Sequence, residues 1–109
     1  MKVYLNEKLL ADGIKCADSF LLRLKGLMFV KELAEGEGIL LKDCSAVHCL
    51  FMRFPIDIVY LDKNMKVIGF ETVKPWRIGH IYRGSKNVLE LAEGSLKGLR
   101  KGDILKFYQ

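Results

Sequence analysis

The chain has 109 residues; half are hydrophobic, 28% are charged, and the formal net charge is +5. That length fits one domain over residues 1–109, and the balance supports a packed core while excluding a disordered chain, which needs low hydrophobicity and high charge. Apolar runs such as Ile58-Val59-Tyr60-Leu61 fall far short of the ~20 residues that span a bilayer. The start, Met1–Lys8, lacks the apolar stretch of a secretory signal, so a cytoplasmic protein is expected.

Lys2-Val3-Tyr4-Leu5 alternates as a half-buried strand does. Asn6-Glu7 turns the chain, and Leu9 and Leu10 continue into a second short strand. Asp18 or Ser19 caps a predicted helix in which Phe20, Leu21, Leu24, Leu27 and Met28 recur at the amphipathic period. Gly26 marks its end or a close backbone contact. Gly36-Glu37-Gly38 is a turn signal before the buried strand Ile39-Leu40-Leu41. From Ala46 to Met52 a strand would place His48, Leu50 and Met52 on one face, with Val47, Cys49 and Phe51 on the other.

Arg53-Phe54-Pro55 breaks that strand, since proline has no backbone donor and fixes its own φ. Ile56 to Leu61 resumes, Asp62-Lys63-Asn64 turns, and Lys66 to Val73 closes a predicted antiparallel hairpin. Residues 74–86 read as an irregular basic loop. Asn87 to Leu91 is a strand, Glu93 to Leu99 a helical turn or short helix, and Ile104 to Tyr108 a last strand after Gly102-Asp103. Six to eight short, mostly antiparallel strands and one or two short helices predict an α+β fold whose sheet curls toward a small barrel.

Several blocks resemble the family known as domain of unknown function 192. Arg23-Leu24-Lys25-Gly26-Leu27-Met28 is similar to its Arg-x-x-Gly-Leu-Met signature. His48, Met52 and Pro55-Ile56-Asp57 resemble its His…Met…Pro-(apolar)-Asp block, and Leu89-Glu90-Leu91 with Gly94 and Gly102-Asp103 resemble its closing segments. The resemblance covers roughly residues 15–107 and implies a small α+β, barrel-like prokaryotic domain without an assigned activity. The chain departs from many relatives in having Phe51 before Met52 and Arg53-Phe54 after it.

Asp57 stands in an apolar strand and needs a partner, because an unpaired buried charge is costly; Arg23 and His48 are the partners at hand. Such a pair either pins the helix to the sheet or orients a ligand in a pocket. The favoured functional reading is a non-enzymatic module binding a small molecule or peptide near Arg23, His48, Met52, Asp57 and Trp76. Arg23 would meet an anionic group, Trp76 would cover an apolar face, and His48 and Asp57 would orient polar groups.

Two other classes compete. An enzyme would use His48 and Asp57, or Cys44 or Cys49 with His48, as acid, base or nucleophile. Asp57 and Glu90 are a further carboxylate pair, although Glu90 reads more simply as solvent-facing or paired with Arg or Lys. Nucleic acid is the third class, because residues 74–86 combine Lys74, Arg77, Arg83 and Lys86 with Trp76 and Tyr82, and no acid lies between Glu71 and Glu90.

No metal site is expected. Cys44, His48, Cys49 and His80 carry donors, and Met28 and Met52 would suit Cu(I), but adjacent His48 and Cys49 point to opposite faces of a strand. Three cysteines without a Cys-x-x-Cys pair read as reduced, mostly buried thiols, and no cofactor is implied.

Overall fold

The N-terminal alternation folds as β1 (Lys2–Leu5), burying Val3 and Leu5. Asn6 and Glu7 both take positive φ, 50° and 67°, the conformation a tight two-residue hairpin demands, and β2 (Lys8–Ala11) returns antiparallel. β3 (Gly13–Ala17) follows, then β4 (Glu37–Lys42), β5 (Ile56–Leu61), β6 (Val67–Val73), β7 (Asn87–Ala92) and β8 (Leu105–Tyr108). This computed structural model describes residues 1–17, 32–45, 52–96 and 98–109.

The strands form two sheets, ordered β2-β1-β8 and β3-β4-β7-β5-β6. Within the larger sheet β3 and β4 run parallel, and the other neighbours run antiparallel. Side-chain alternation gives that sheet two buried faces. Leu40, Val59, Leu61, Leu89 and Leu91 pack with Val3, Leu5 and Leu105 of the smaller sheet. Ile39, Leu41, Ile56, Ile58, Tyr60 and Val88 line the opposite face with Met52 and Val73. β5 and β7 are therefore buried along their whole length, and both read as near-continuous apolar runs.

The α+β, barrel-like expectation is overturned. Among the described residues there are eight strands and no helix, and neither sheet closes. The sheets meet through the isolated bridge Lys66↔Ile104 and through a backbone exchange between Met1 and Ile14. Between Glu93 and Leu99, Gly94 and Gly98 adopt positive φ, 92° and 77°, which a right-handed helix cannot contain. The amides of Gly94 and Ser95 are instead held by Asp57, and the segment runs as turns. The predicted helix after Asp18 or Ser19 and most of the predicted strand from Ala46 lie outside the described residues. β3 was not anticipated, because its exposed Lys15 and Cys16 interrupt the apolar alternation. Cys16 is an exposed free thiol, contrary to the buried reading, and Cys44 is half-buried.

Candidate functional site

Of the five residues proposed for a ligand site, Arg23 and His48 lie outside the described residues. Met52 is buried in the second core cluster, as methionine commonly is. Asp57 begins β5 immediately after Ile56 and faces away from that cluster, and both its oxygens are occupied. Oδ1 accepts the Thr72 hydroxyl at 2.7 Å, and Oδ2 accepts the amides of Gly94 at 2.8 Å and Ser95 at 2.9 Å. This carboxylate fastens the turn after β7 to the β5–β6 hairpin. Trp76 is 59% exposed, on the segment that follows β6.

Asp57 and Glu90 do not form an acid–base pair. Asp57 is opposite Leu91 while Glu90 is opposite Ile58, so alternation sends the two side chains to opposite faces. Nor does Glu90 face solvent: it is 2% exposed, because β7 is the central strand of the larger sheet. Burial alone pushes its carboxyl from an ordinary 4.5 up to about 8, so at neutral pH it is largely protonated.

Glu71, which nothing in its local sequence singles out, forms a second polar cluster among the described residues. Ile58 is its cross-strand partner, so it lies on the face shared by Tyr60 and Glu90. Its Oε2 accepts the Tyr60 hydroxyl at 2.7 Å and the His80 amide at 2.8 Å, and its Oε1 lies 2.8 Å from His80 Nδ1. Burial raises the Glu71 pKa, but the His80 amide and imidazole and the Tyr60 hydroxyl outweigh it, and the net value falls below the ordinary 4.5. Burial and then the Glu71 charge push the nearby Tyr82 phenol up.

This cluster pins residues 74–86 as a strap. Arg77 N bonds Lys74 O at 3.3 Å across Pro75-Trp76, and Trp76 takes φ 65°. Proline second and positive φ third is the pattern of a type II turn, where glycine or asparagine is usual and tryptophan is not. The Tyr82 ring lies 4.3 Å from that of Tyr60, centroid to centroid, and packs over Gly69. Lys86 N then bonds Leu61 O at 2.8 Å, returning the chain to the sheet. Between these anchors Trp76, Ile78 and Ile81 are exposed by 59, 72 and 84%, among the exposed Lys74, Arg77, Arg83 and Lys86.

Two open clefts lie elsewhere. One of about 560 Å³ opens beside Gly94 and Ser95 and is lined by Phe54 and Pro55 with Glu32, Glu35 and Glu93. A larger one, about 1160 Å³, lies along β1 and β8. Of the proposed ligand residues that are described, Met52, Asp57 and Trp76 line neither. Among the described residues no three His, Cys, Asp or Glu side chains are grouped to hold a metal, and no helix is long and apolar enough to cross a membrane.

The fold defines a small two-sheet β protein of a kind already seen in solved structures. A protein of unknown function from Novosphingobium aromaticivorans DSM 12444 superimposes with a TM-score of 0.82 at 21% identity, over 97% of this chain and 82% of that one. The chain belongs to the domain of unknown function 192 family, described as uncharacterized ACR, whose model matches residues 3–107. It is 32% identical over 100 residues to a UPF0127 protein of Pyrococcus horikoshii, covering 87% of each chain. It is also 30% identical over 100 residues to a UPF0127 protein of Thermococcus kodakarensis, where 86% of this chain spans 64% of the relative's length. These relatives are prokaryotic, and their names assign no activity.

Proposed function

We propose that the chain is a non-enzymatic binding module that takes an acidic polypeptide segment bearing apolar side chains along the 74–86 strap. The observation that carries this reading is the exposure of Trp76, Ile78 and Ile81 on a segment without a single acid, tied at His80 to the Glu71 carboxylate that also accepts the Tyr60 hydroxyl. Large apolar side chains that a fold leaves in water, ringed by charge of one sign, suit a partner with the opposite charge and its own apolar groups. Asp57 binds the amides of the turn after β7, and Met52 packs in the core.

The test is fluorescence anisotropy with a labelled synthetic peptide that alternates Glu with Leu and Phe, beside a poly-glutamate peptide and an oligothymidylate. The mixed peptide is expected to bind, with affinity falling as salt rises, and poly-glutamate to bind more weakly. Trp76→Asn, which keeps a residue tolerant of positive φ, and Ile81→Ser should each weaken binding by about tenfold, the loss of part of one buried side chain's transfer energy. Poly-glutamate binding as tightly as the mixed peptide would remove the apolar half of the reading. Saturation by oligothymidylate with a steep salt dependence, and none by the mixed peptide, would replace it with nucleic-acid binding through Trp76 and the strap cations.

A further inference from the structure

The two-point hold of Glu71 on His80 fixes more than the backbone. Glu71 is an ionised carboxylate at neutral pH and can only accept, so the 2.8 Å contact with His80 Nδ1 requires the proton on Nδ1. In the neutral ring, Nε2 is then the nitrogen that carries the lone pair. The imidazole is 80% exposed while Glu71 is only 16% exposed, so the ring is anchored from beneath and open above. The His80 amide on Oε2 and the Tyr60 hydroxyl on the same oxygen keep the carboxylate from turning. A carboxylate held against one ring nitrogen fixes the tautomer and the orientation of the ring and leaves the other nitrogen to face outward. Arg77 and Arg83 lie three residues to either side in sequence, Lys74 and Lys86 lie beyond them, and all four are exposed.

We propose that His80 Nε2 is a phosphoryl-accepting nucleophile, with Glu71 as its positioning residue and the strap cations drawing in the dianionic donor group. The donor is a reactive phosphoryl compound of the phosphoramidate or acyl phosphate class. With phosphoramidate, the Nε2 lone pair attacks phosphorus and forms the new N–P bond. The donor reacts as its zwitterion, whose nitrogen already carries three hydrogens, so the old P–N bond breaks and ammonia leaves with the electron pair of that bond. No electron is gained or lost. The imidazole keeps its Nδ1 proton and becomes a phosphorylated imidazolium, its positive charge facing the Glu71 carboxylate. The inference does not depend on the strap binding a polypeptide.

The experiment is incubation of the full chain with potassium phosphoramidate, followed by ³¹P NMR, against N-acetylhistidine as reference. Phosphorylation at Nε2 is expected at least about tenfold faster than in the reference, the scale on which a local field of one sign concentrates a counter-ion. It should be lost in His80→Gln; the chain's other histidine, His48, makes that control necessary. Glu71→Gln keeps the hydrogen-bond shape without the charge. It should slow the reaction severalfold and yield a mixture of Nδ1 and Nε2 products, a ratio that a merely structural residue would not move. A rate equal to that of N-acetylhistidine, a signal surviving His80→Gln, or unchanged rate and isomer ratio in Glu71→Gln would each overturn the proposal.

Discussion

The carboxylate of Asp57 reaches across the end of the larger sheet to the amide of Gly94, 37 residues later in the chain, and holds it at 2.8 Å. The same oxygen takes the Ser95 amide, while the other takes the Thr72 hydroxyl, so one buried side chain ties β5, β6 and the turn after β7. Hydrogen bonds to a charged group contribute more than neutral ones, so Asp57→Ala should cost about 3 kcal/mol and Asp57→Asn roughly half of that. Urea unfolding of the two variants checks the order. A loss no larger than that of Thr72→Val would mean that the Gly94 and Ser95 bonds contribute nothing. Peptide binding at the strap should be unaffected in all three.

Glu90 makes stability depend on pH in an unusual direction for an acid. Its folded pKa, about 8, lies above the ordinary 4.5, so the folded state keeps a proton that the unfolded chain gives up. The folded state then binds more protons across that window, and stability falls as pH rises from about 4.5 to about 8, then levels off. Each unit of the window corresponds to about 1.4 kcal/mol. Glu90→Gln mimics the protonated form and should flatten this fall, with its largest gain over the parent chain above about pH 8. Chemical denaturation across that range measures it, and a variant with the parent's slope would show that Glu90 ionises freely in the fold.

Gly69 permits the close approach of the Tyr82 ring. A Cβ at that position would overlap the ring atoms themselves, and no flexible end is available to move aside. Gly69→Ala should therefore expel Tyr82 from its seat on Tyr60 and cost about 1–3 kcal/mol, the range for overpacking. Because Tyr82 anchors the strap, the amide resonances of residues 76–83 should shift well beyond those of the sheet in a two-dimensional NMR spectrum. Shifts confined to Gly69's own neighbours would mean that the strap is held without Tyr82.

The strands were legible where burial is local. Lys2–Leu5 alternates, and Ile56–Leu61 is an apolar run bounded by Pro55 and Asp62, so each carries its own signal. The class of the fold was not legible. The short helix read at Glu93 to Leu99 fails because Gly94 and Gly98 take positive φ and because Asp57, remote in sequence, captures the two amides that would have opened it. The site was half legible. The basic, aromatic composition of residues 74–86 stands out in the sequence, whereas Glu71 looks like any other acid at the end of a strand. Only the pairing of Glu71 with Ile58 sets it beneath the strap, within reach of His80 and Tyr60.

The sequence by itself determined the family, the apolar strands of the core and a strap free of acids, because each is written in the order and kind of neighbouring residues. Tertiary structure alone decided that Asp57 and Glu90 face apart, that Glu90 is sealed from water in the central strand, and that Glu71 holds His80. Those outcomes depend on strand order and register. Both are set by the packing of whole faces against one another, and a one-residue change of register would turn each of these side chains to the other face.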